Sequence, residues 1–195
     1  MGKLYFRYGA MGSSKTANVL MVRFNYLERG KNVLLLKPGV DTRDGSDVIK
    51  SRIGLEAECV NAESTLFFFR EMFTSDNLII PYDVVIVDEV QFLSEEDIDT
   101  LAEVVDRFDI PVICYGLKTD FKGHLFDGSK RLIEVADVIE EIPTICWCGR
   151  KAHFNARIID GKVVKEGEQL MLGANDKYIS LCRKHYKESK WEESL

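Results

Sequence analysis

The sequence has little proline, no long apolar run and no excess of positive charge. Four prolines among 195 residues, with 46% hydrophobic and 30% charged residues, are typical of a globular chain and not of a disordered or fibrous one. No apolar run approaches the roughly 18 residues that a membrane-spanning helix needs. Lys and Arg number 26 against 32 Asp and Glu, which gives a net charge of −6. This charge excludes the overall positive footprint of a duplex-DNA binder, although a local basic patch is compatible with it. We therefore expect no nucleic-acid and no membrane partner.

Cysteine is also scarce, with five residues, which is an odd number. The first residues lack the apolar core of a signal peptide. Both features favour a reducing, cytoplasmic compartment in which cysteines act as thiols or metal ligands and not as disulfides.

Apolar segments with strand character alternate with helical segments along the first three quarters of the chain. This order predicts an α/β fold in which helices cover both faces of a parallel sheet. Strands are expected at 4–8, 32–36, 82–87, 112–115 and 138–139, and helices at 15–29, 64–73, 94–108 and 125–136. Between them, residues 38–52 are expected to form a mobile, functional loop.

The pattern changes near Pro143, where cysteines cluster and Asp160-Gly161 forms a turn signal between two apolar runs. We expect two domains, a nucleotide-binding domain over 1–142 and a smaller metal-binding domain with a C-terminal tail over 143–195.

A phosphate-binding loop is predicted between the first strand and the first helix. Its pattern departs from G-x-x-x-x-G-K-[ST] at one position, where Ser14 replaces glycine. Small residues let backbone N–H groups close around phosphate, Lys15 supplies a cation, and the Thr16 hydroxyl can bind Mg²⁺. A Gly/Ser-rich turn before an ordinary helix is the alternative. The predicted phosphate-binding residues are Gly9, Ala10, Met11, Gly12, Ser13, Ser14, Lys15 and Thr16.

Two acidic residues, Asp88 and Glu89, follow the apolar run VVIV. Ligands bind at the carboxyl ends of parallel strands, so Asp88 is placed to act on Mg²⁺ and Glu89 to act as a general base. The alternative is an acidic strand end that caps the next helix. Together with the phosphate loop, the pair indicates ATP or GTP chemistry.

Soft metal ligands occur as two close pairs, Cys146-x-Cys148 and Cys182-x-x-His185. They predict one structural Cys₃His zinc site, with His153 as a rival fourth ligand and scattered buried cysteines as the alternative. Cys59 and Cys114 are expected to be core thiols.

Eight motifs together match one family: GAMGSSKT at 9–16, DTR at 41–43, DEVQF at 88–92, YGLKTDF at 115–121, LFDGS at 125–129, TICWCGRKA at 144–152, EGEQ at 166–169 and CRKHY at 182–186. From Gly2 to Tyr186 the chain closely resembles the zinc-containing (type II) thymidine kinases in their bacterial form. The resemblance implies a RecA-like core with a phosphate loop, and a small zinc-stapled unit that carries a base-reading segment, the lasso (166–178). It also implies a homotetramer, and inhibition by dTTP bound at the substrate site.

The resemblance further implies transfer of the γ-phosphoryl group of ATP, with Mg²⁺, to the 5′-hydroxyl of thymidine or deoxyuridine. Glu89 matches the general base, and Lys15 and Arg43 match groups that act on the transferring phosphate. Asp88, Glu89, Val90 and Gln91 match the acidic strand end of the ATP site. Residues of the nucleoside site are matched by Met11, Asp41, Glu89, Leu117, Phe121, Leu170, Met171, Leu172, Gly173 and Tyr178.

The chain departs from the family pattern at Ser14, Ala10, Gly12 and Ala174. If position 14 needs a positive φ, Ser14 is strained there and ATP affinity falls. Two other functions use the same residues. A RecA-like DNA-dependent ATPase would let Glu89 polarise water, and a non-catalytic zinc-dependent module would bind nucleotide without turnover.

Overall fold

The computed structural model describes residues 1–41, 45, 47–74, 79–169 and 177–192. Its strands are β1 (Leu4–Tyr8), β2 (Val33–Lys37), β3 (Val48–Lys50), β4 (Glu56–Glu58), β5 (Val60–Asn61), β6 (Val84–Val87), β7 (Val112–Gly116), β8 (Val138–Glu141), β9 (Thr144–Ile145), β10 (Lys151–Ala152), β11 (Phe154–Ile159), β12 (Lys162–Val164) and β13 (Lys177–Leu181). Its helices are α1 (Lys15–Leu27), α2 (Ala62–Met72), α3 (Glu95–Phe108), α4 (Asp127–Val135) and α5 (Arg183–Glu188).

Six strands form one parallel sheet in the order β5-β2-β6-β7-β1-β8. Consecutive residues of β6 show why the central strands of this sheet are apolar throughout. Val85 and Val87 pack into a core with α2, α3 and α4, whereas Val84 and Ile86 pack into a second core with α1 on the opposite face. Because both faces are covered, every side chain of β6 is buried. The predicted α/β class with a parallel sheet is confirmed.

Helix α3 begins where the sequence predicts it. The Ser94 hydroxyl accepts the backbone N–H of Asp97, and the Asp97 carboxylate accepts the backbone N–H of Ser94. This capping box satisfies backbone donors at the start of the helix. Acidic residues in the first turn of α3 interact favourably with the positive end of the helix dipole.

The parallel arrangement gathers three loops at one edge of the sheet. Strands β1, β6 and β7 are neighbours or near neighbours and point the same way, so their carboxyl ends lie together. The residues that follow these strands, 9–14, 88–93 and 117–126, therefore meet at that edge.

A second, antiparallel sheet has the order β12-β11-β13. Its β11–β12 hairpin turns at Asp160 and Gly161, whose φ angles are 48° and 75°. Two successive positive φ values are typical of the two-residue turn that suits twisted strands, so the predicted hairpin is confirmed.

The segment 38–52 contains more regular structure than predicted. Its strand β3 pairs with β4 in an antiparallel ribbon, Ile49 across from Ala57. The ribbon is short and carries charged residues, so its sequence lacks a clear apolar alternation, and only Ile49 of β3 is buried. Among the described residues, no helix is long and apolar enough to cross a membrane.

Candidate active site and metal centre

The loop between β1 and α1 has the backbone shape of a phosphate-binding turn. The chain turns at Gly12, with φ 73°, and again at Ser14, with φ 59°, immediately before α1 begins. Position 14 therefore has the positive φ that favours glycine, and Ser14 carries the strain expected at this departure from the motif.

Gly9 begins the same loop in a place where no side chain fits. A Cβ atom at this position would lie 2.3 Å from Oγ of Ser13 and 2.5 Å from the carbonyl oxygen of Ile142. The close approach of the loop to β8 thus requires glycine.

Lys15 is buried and curls back over the loop. Its Nζ donates to the carbonyl oxygens of Gly9 at 3.1 Å and Ala10 at 3.0 Å, and to Oγ of Ser13 at 3.3 Å. The ammonium group is therefore held at the mouth of the loop, where the backbone N–H groups and the α1 dipole favour an anion.

A cavity of about 560 Å³ lies over the phosphate loop and extends toward the β3 ribbon. Asp88, Asp41 and Lys37 line it together with residues of the loop. Lys37 is nearly fully buried, and its Nζ donates to the carbonyl oxygens of Gly45 and Val48, each at 3.0 Å. It also lies 3.6 Å from the Asp41 carboxylate. This cavity has the size and the cations that a nucleoside triphosphate requires.

Asp88 lies at the carboxyl end of β6, fully buried behind the loop. Burial, and then the adjacent charge of Glu89, raise the pKa of Asp88 to about 7, while the hydrogen bond from Thr16 opposes the rise. A hydroxyl and a carboxylate oxygen in contact are ligands that Mg²⁺ prefers, and the metal's charge would favour the ionised form of Asp88. Thr16 and Asp88 thus fit a magnesium site.

Glu89 has a positive φ of 51° and is held by a neighbour in a short 3₁₀ turn, Val90–Phe92. Nε2 of Gln91 donates to Oε2 of Glu89 at 2.6 Å, and Oε1 of Gln91 accepts the backbone N–H of Leu117 at 3.0 Å. Gly116 leaves the room for this, because a Cβ there would lie 2.5 Å from Oε1 of Gln91.

A second, mostly apolar cavity of about 100 Å³ has Glu89 in its wall. Its walls combine aromatic rings with a few polar groups, the composition of a small-molecule site. It is lined by Met11, Glu89, Gln91, Phe92, Leu117, Asp120, Phe121, Phe126, Asn155, Gln169 and Tyr178.

Six of the ten residues predicted for the nucleoside lie in the described part of the chain, and the structure brings five of these six together. Met11, Glu89, Leu117, Phe121 and Tyr178 share the apolar cavity, whereas Asp41 lies in the cavity over the phosphate loop. Val90, predicted at the ATP site, is fully buried in the core, and Gln91 faces the apolar cavity. Arg43 and the lasso residues Leu170, Met171, Leu172, Gly173 and Ala174 lie outside the described residues.

Sequence reasoning missed several polar residues of the apolar cavity. Asp120 accepts the backbone N–H groups of Lys122 and His124 and the Nε2 of Gln169, which ties the first part of the lasso to the loop after β7. Asp120 and Gln169 both belong to motifs that carry the family resemblance, and these motifs could have identified them as candidate site residues.

Strand β11 contributes two further residues that the sequence did not single out, Asn155 and Arg157. Arg157 is fully buried, with its guanidinium 5.1 Å from the ring centre of Phe121 and 5.8 Å from that of Tyr178. Its Nη1 also donates to the carbonyl oxygen of Glu168 at 3.2 Å. Since residues two apart on a strand share a face, β11 presents both side chains toward the cavity.

Cys146, Cys148, Cys182 and His185 converge, with their ligand atoms all within 4.8 Å of one another. Sγ of Cys146 lies 3.4 Å from Nδ1 of His185, and Sγ of Cys148 lies 3.9 Å from Sγ of Cys182. Tetrahedral zinc with bonds of about 2.3 Å to sulfur separates its sulfur ligands by roughly 3.8 Å, so this cluster fits zinc. Burial opposes ionisation of Cys182, but hydrogen bonds from the backbone N–H of His185, from the side chains of Cys148 and Cys146 and from the backbone N–H of Lys184 together outweigh it and lower the pKa of Cys182.

His153 does not join the metal cluster. The ring of His153 lies 3.5 Å from the Glu141 carboxylate instead. The ring of the ligand His185 is covered by Trp147, which stacks on it with ring centres 4.3 Å apart. Cys59 and Cys114 are buried thiols away from the cluster, as predicted, and burial raises the pKa of Cys114.

Comparison with known proteins identifies the family. A family model described as thymidine kinase matches residues 2–186. The thymidine kinase of Lactococcus lactis subsp. lactis is 47% identical over 95% of this chain and 97% of its own, and that of Vibrio cholerae is 46% identical over 97% and 98%. This chain belongs to the thymidine kinase family.

The similarity to thymidine kinases extends over nearly the whole chain. The thymidine kinase of Shewanella oneidensis, for example, is 45% identical and is covered over its full length, with 98% of this chain matched. A replication initiator bound to AMPPCP and single-stranded DNA superposes with a TM-score of 0.44 and 20% identity, over 73% of this chain and 41% of that one. A likeness at that level adds nothing to the assignment.

Proposed function

We propose that this protein is a thymidine kinase that transfers the γ-phosphoryl group of ATP to the 5′-hydroxyl of thymidine or deoxyuridine, in deoxynucleotide salvage. One observation supports this most directly. At two points of the chain, one residue lines one cavity and the residue next to it in sequence lines the other. Gly12 and Asp88 line the cavity over the phosphate loop, whereas their neighbours Met11 and Glu89 line the apolar cavity. A phosphoryl donor and an acceptor in adjacent cavities would meet between these residues.

Glu89 is the general base of this proposal. It borders the apolar cavity in which the nucleoside would lie, and Gln91 fixes its carboxylate. A nucleoside hydroxyl is a poor nucleophile, so a positioned base that takes its proton, together with alignment, lowers the barrier.

Lys15 and Thr16 would bind the phosphates, and Arg43 would stabilise the charge on the transferring phosphoryl group. Mg²⁺ held by Thr16 and Asp88 would neutralise the charge on the phosphate oxygens. The fixed position of Lys15 supports its part in this assignment, since three acceptors of the loop already orient its ammonium group.

The apolar cavity is the proposed base pocket. Its volume of about 100 Å³ and its aromatic walls suit a pyrimidine and disfavour a purine. Backbone groups of the lasso, including residues 170–173, would complete it and reject cytosine, because a mismatched buried polar group is costly.

Zinc in the Cys₃His cluster is proposed to be structural. Four protein ligands leave no position for a catalytic water. The cluster joins β9–β10 to α5, and Oη of Tyr186 on α5 donates to the carbonyl oxygen of Phe121 at 2.6 Å. The metal would therefore stabilise one wall of the base pocket.

We further propose a nucleotide-binding domain over 1–142 with a zinc-binding domain over 143–195, a cytoplasmic homotetramer, and inhibition by dTTP at the nucleoside site. Exposed Met21 and Phe24 on α1, and Phe67 and Phe68 on α2, support an oligomer because burying them would stabilise an interface.

The proposed function is tested by ATP consumption with Mg²⁺ in parallel reactions that contain thymidine, deoxyuridine, deoxycytidine, deoxyadenosine, single-stranded DNA or nothing. We expect turnover only with thymidine and deoxyuridine, with the 5′-monophosphate as product. Turnover that depends on DNA, or that needs no acceptor, would identify an ATPase instead.

A further inference from the structure

We propose that Asn155 is a positioning residue that fixes the phosphate loop in register with the nucleoside pocket. The inference rests on the proposed thymidine kinase function and adds a residue outside both substrate-binding loops. Asn155 lies on β11, in the antiparallel sheet, and is 3% exposed.

The side-chain amide of Asn155 joins two loops at the carboxyl edge of the parallel sheet. Its Oδ1 accepts the backbone N–H of Met11 at 2.8 Å, in the phosphate loop. Its Nδ2 donates to the carbonyl oxygen of Thr119 at 2.8 Å, in the loop after β7 that carries Leu117 and Phe121.

The chemistry of the two partners determines the orientation of this amide. A backbone N–H needs an acceptor and a carbonyl oxygen needs a donor, so a flipped amide would oppose donor to donor and acceptor to acceptor. Because the site is buried, loss of the amide leaves one backbone N–H and one carbonyl without this partner.

Through Met11, the contact with Asn155 can affect both substrate sites. The backbone of Met11 belongs to the phosphate loop, and the residue lines the nucleoside pocket. Ser180 on β13 donates from Oγ to the Met11 carbonyl oxygen, so the antiparallel sheet contacts both polar groups of the Met11 backbone. Thr144 adds a third contact by donating to the carbonyl oxygen of Gly12 at 3.2 Å.

Phosphoryl transfer depends on the alignment of the acceptor oxygen with the γ-phosphate, and a misplacement of about 1 Å can cost roughly 100-fold in rate. An anchor between the two loops therefore acts on kcat. It leaves the affinity for ATP nearly intact, because Asn155 does not line the cavity over the phosphate loop. Asn155 does line the apolar cavity, but both polar atoms of its amide are bound to Met11 and Thr119, so we expect thymidine affinity to change much less than kcat.

The test compares Asn155→Ala with Ile158→Ala. Ile158 is a matched control because its buried side chain lies on the same strand but on the opposite face from Asn155. For Asn155→Ala we expect kcat for thymidine phosphorylation to fall about 10–100-fold. Dissociation constants for ATP and for thymidine should change less than about threefold, and the zinc content should stay at the wild-type level. Asn155→Ser, which keeps one short hydroxyl, is the milder variant and should give an intermediate kcat.

Hydrogen exchange of the 9–14 segment provides a readout that does not depend on turnover. Exchange at Met11 should be at least about 10-fold faster in Asn155→Ala than in the wild type, and unchanged in Ile158→Ala. In the double variant with Ser180→Ala, the loss of kcat should be smaller than the product of the single losses, because both residues hold one backbone unit.

Three results would overturn the inference: unchanged exchange at Met11, a kcat loss in Ile158→Ala as large as in Asn155→Ala or Asn155→Ser, or a loss confined to KM. Failure of the proposed function is a separate result, since the wild type would then show no thymidine phosphorylation while the exchange comparison still reports on Asn155.

Discussion

Gln91 connects Glu89 to the neighbouring loop of the sheet edge. Its Nε2 donates to Oε2 of Glu89 at 2.6 Å, and its Oε1 accepts the backbone N–H of Leu117 at 3.0 Å. The carboxylate proposed to accept the nucleoside proton is thus oriented by an amide that is itself fixed at its other end.

Replacement of Gln91 by leucine removes this orientation and leaves Glu89 in place. We expect kcat to fall about 10-fold, which corresponds to about 1.4 kcal/mol and is typical of one hydrogen bond to a charged group. ATP affinity, measured by equilibrium binding, should not change. A Gln91→Leu enzyme with wild-type kcat would show that Glu89 needs no such support.

Backbone strain at Ser14 in the phosphate loop can be tested by substitution. The φ of 59° at Ser14 costs a residue with a side chain about 1–2 kcal/mol, part of which glycine recovers. Ser14→Gly should raise the free energy of unfolding by about 0.5–1 kcal/mol and strengthen ATP binding. Ser189→Gly is a matched control, because Ser189 has φ 54° at the end of α5, away from the loop. Thermal unfolding with and without ATP separates the two effects. The same gain in ATP affinity in both variants would contradict a local role for Ser14.

Asp88 gives the ATP site a defined pH dependence. Burial, and then the charge of Glu89, disfavour its anion and raise the pKa of Asp88 from the ordinary value of 3.8 to about 7 in the folded chain. Between these pH values the unfolded chain loses this proton and the folded chain retains it, so the fold becomes less stable as the pH rises.

Asp88→Asn removes that penalty. Without metal or nucleotide, the variant should match the wild type near pH 4 and exceed it near pH 8 by about 1–4 kcal/mol. Thermal unfolding at several pH values measures this difference. A stability difference that does not change with pH would mean that Asp88 is ionised throughout, and catalytic activity should be lost in either case.

Removal of zinc should disturb the base pocket and the phosphate loop together. The antiparallel sheet contacts Met11 through Asn155 and Ser180, and Tyr186 contacts Phe121. Cys182→Ser should therefore lose about one zinc per chain and bind thymidine at least about 10-fold more weakly. Cys59→Ser, at a cysteine outside the cluster, should keep both. Full activity in a preparation shown to be metal-free would refute a structural role for zinc.

The core of this fold was predictable because its residues carry strong local signals. The VVIV run of β6 is apolar throughout because both of its faces are covered, and Ser94 caps α3 through its own side chain. The ribbon of β3 and β4 was not predictable, because it is stabilised by Lys37 reaching from β2 and not by its own pattern.

Some residues of the candidate site could likewise be predicted from the sequence, and others could not. Lys15, Asp88 and Glu89 follow from motif spacing, and the four metal ligands follow from two close pairs. Asn155 and Arg157 have no motif of their own, and their roles arise only when β11 packs against loops more than 30 residues away in sequence. Such contacts depend on tertiary packing, which no local pattern encodes.

The most direct test of the central claim is the turnover of Glu89→Gln with thymidine, measured beside ATP binding and beside the exposed control Glu103→Gln. If Glu89 accepts the proton of the 5′-hydroxyl, Glu89→Gln should bind ATP as tightly as the wild type and lose about 10²–10⁴-fold in kcat, while Glu103→Gln stays fully active. Near-normal thymidine phosphorylation by Glu89→Gln would contradict the account.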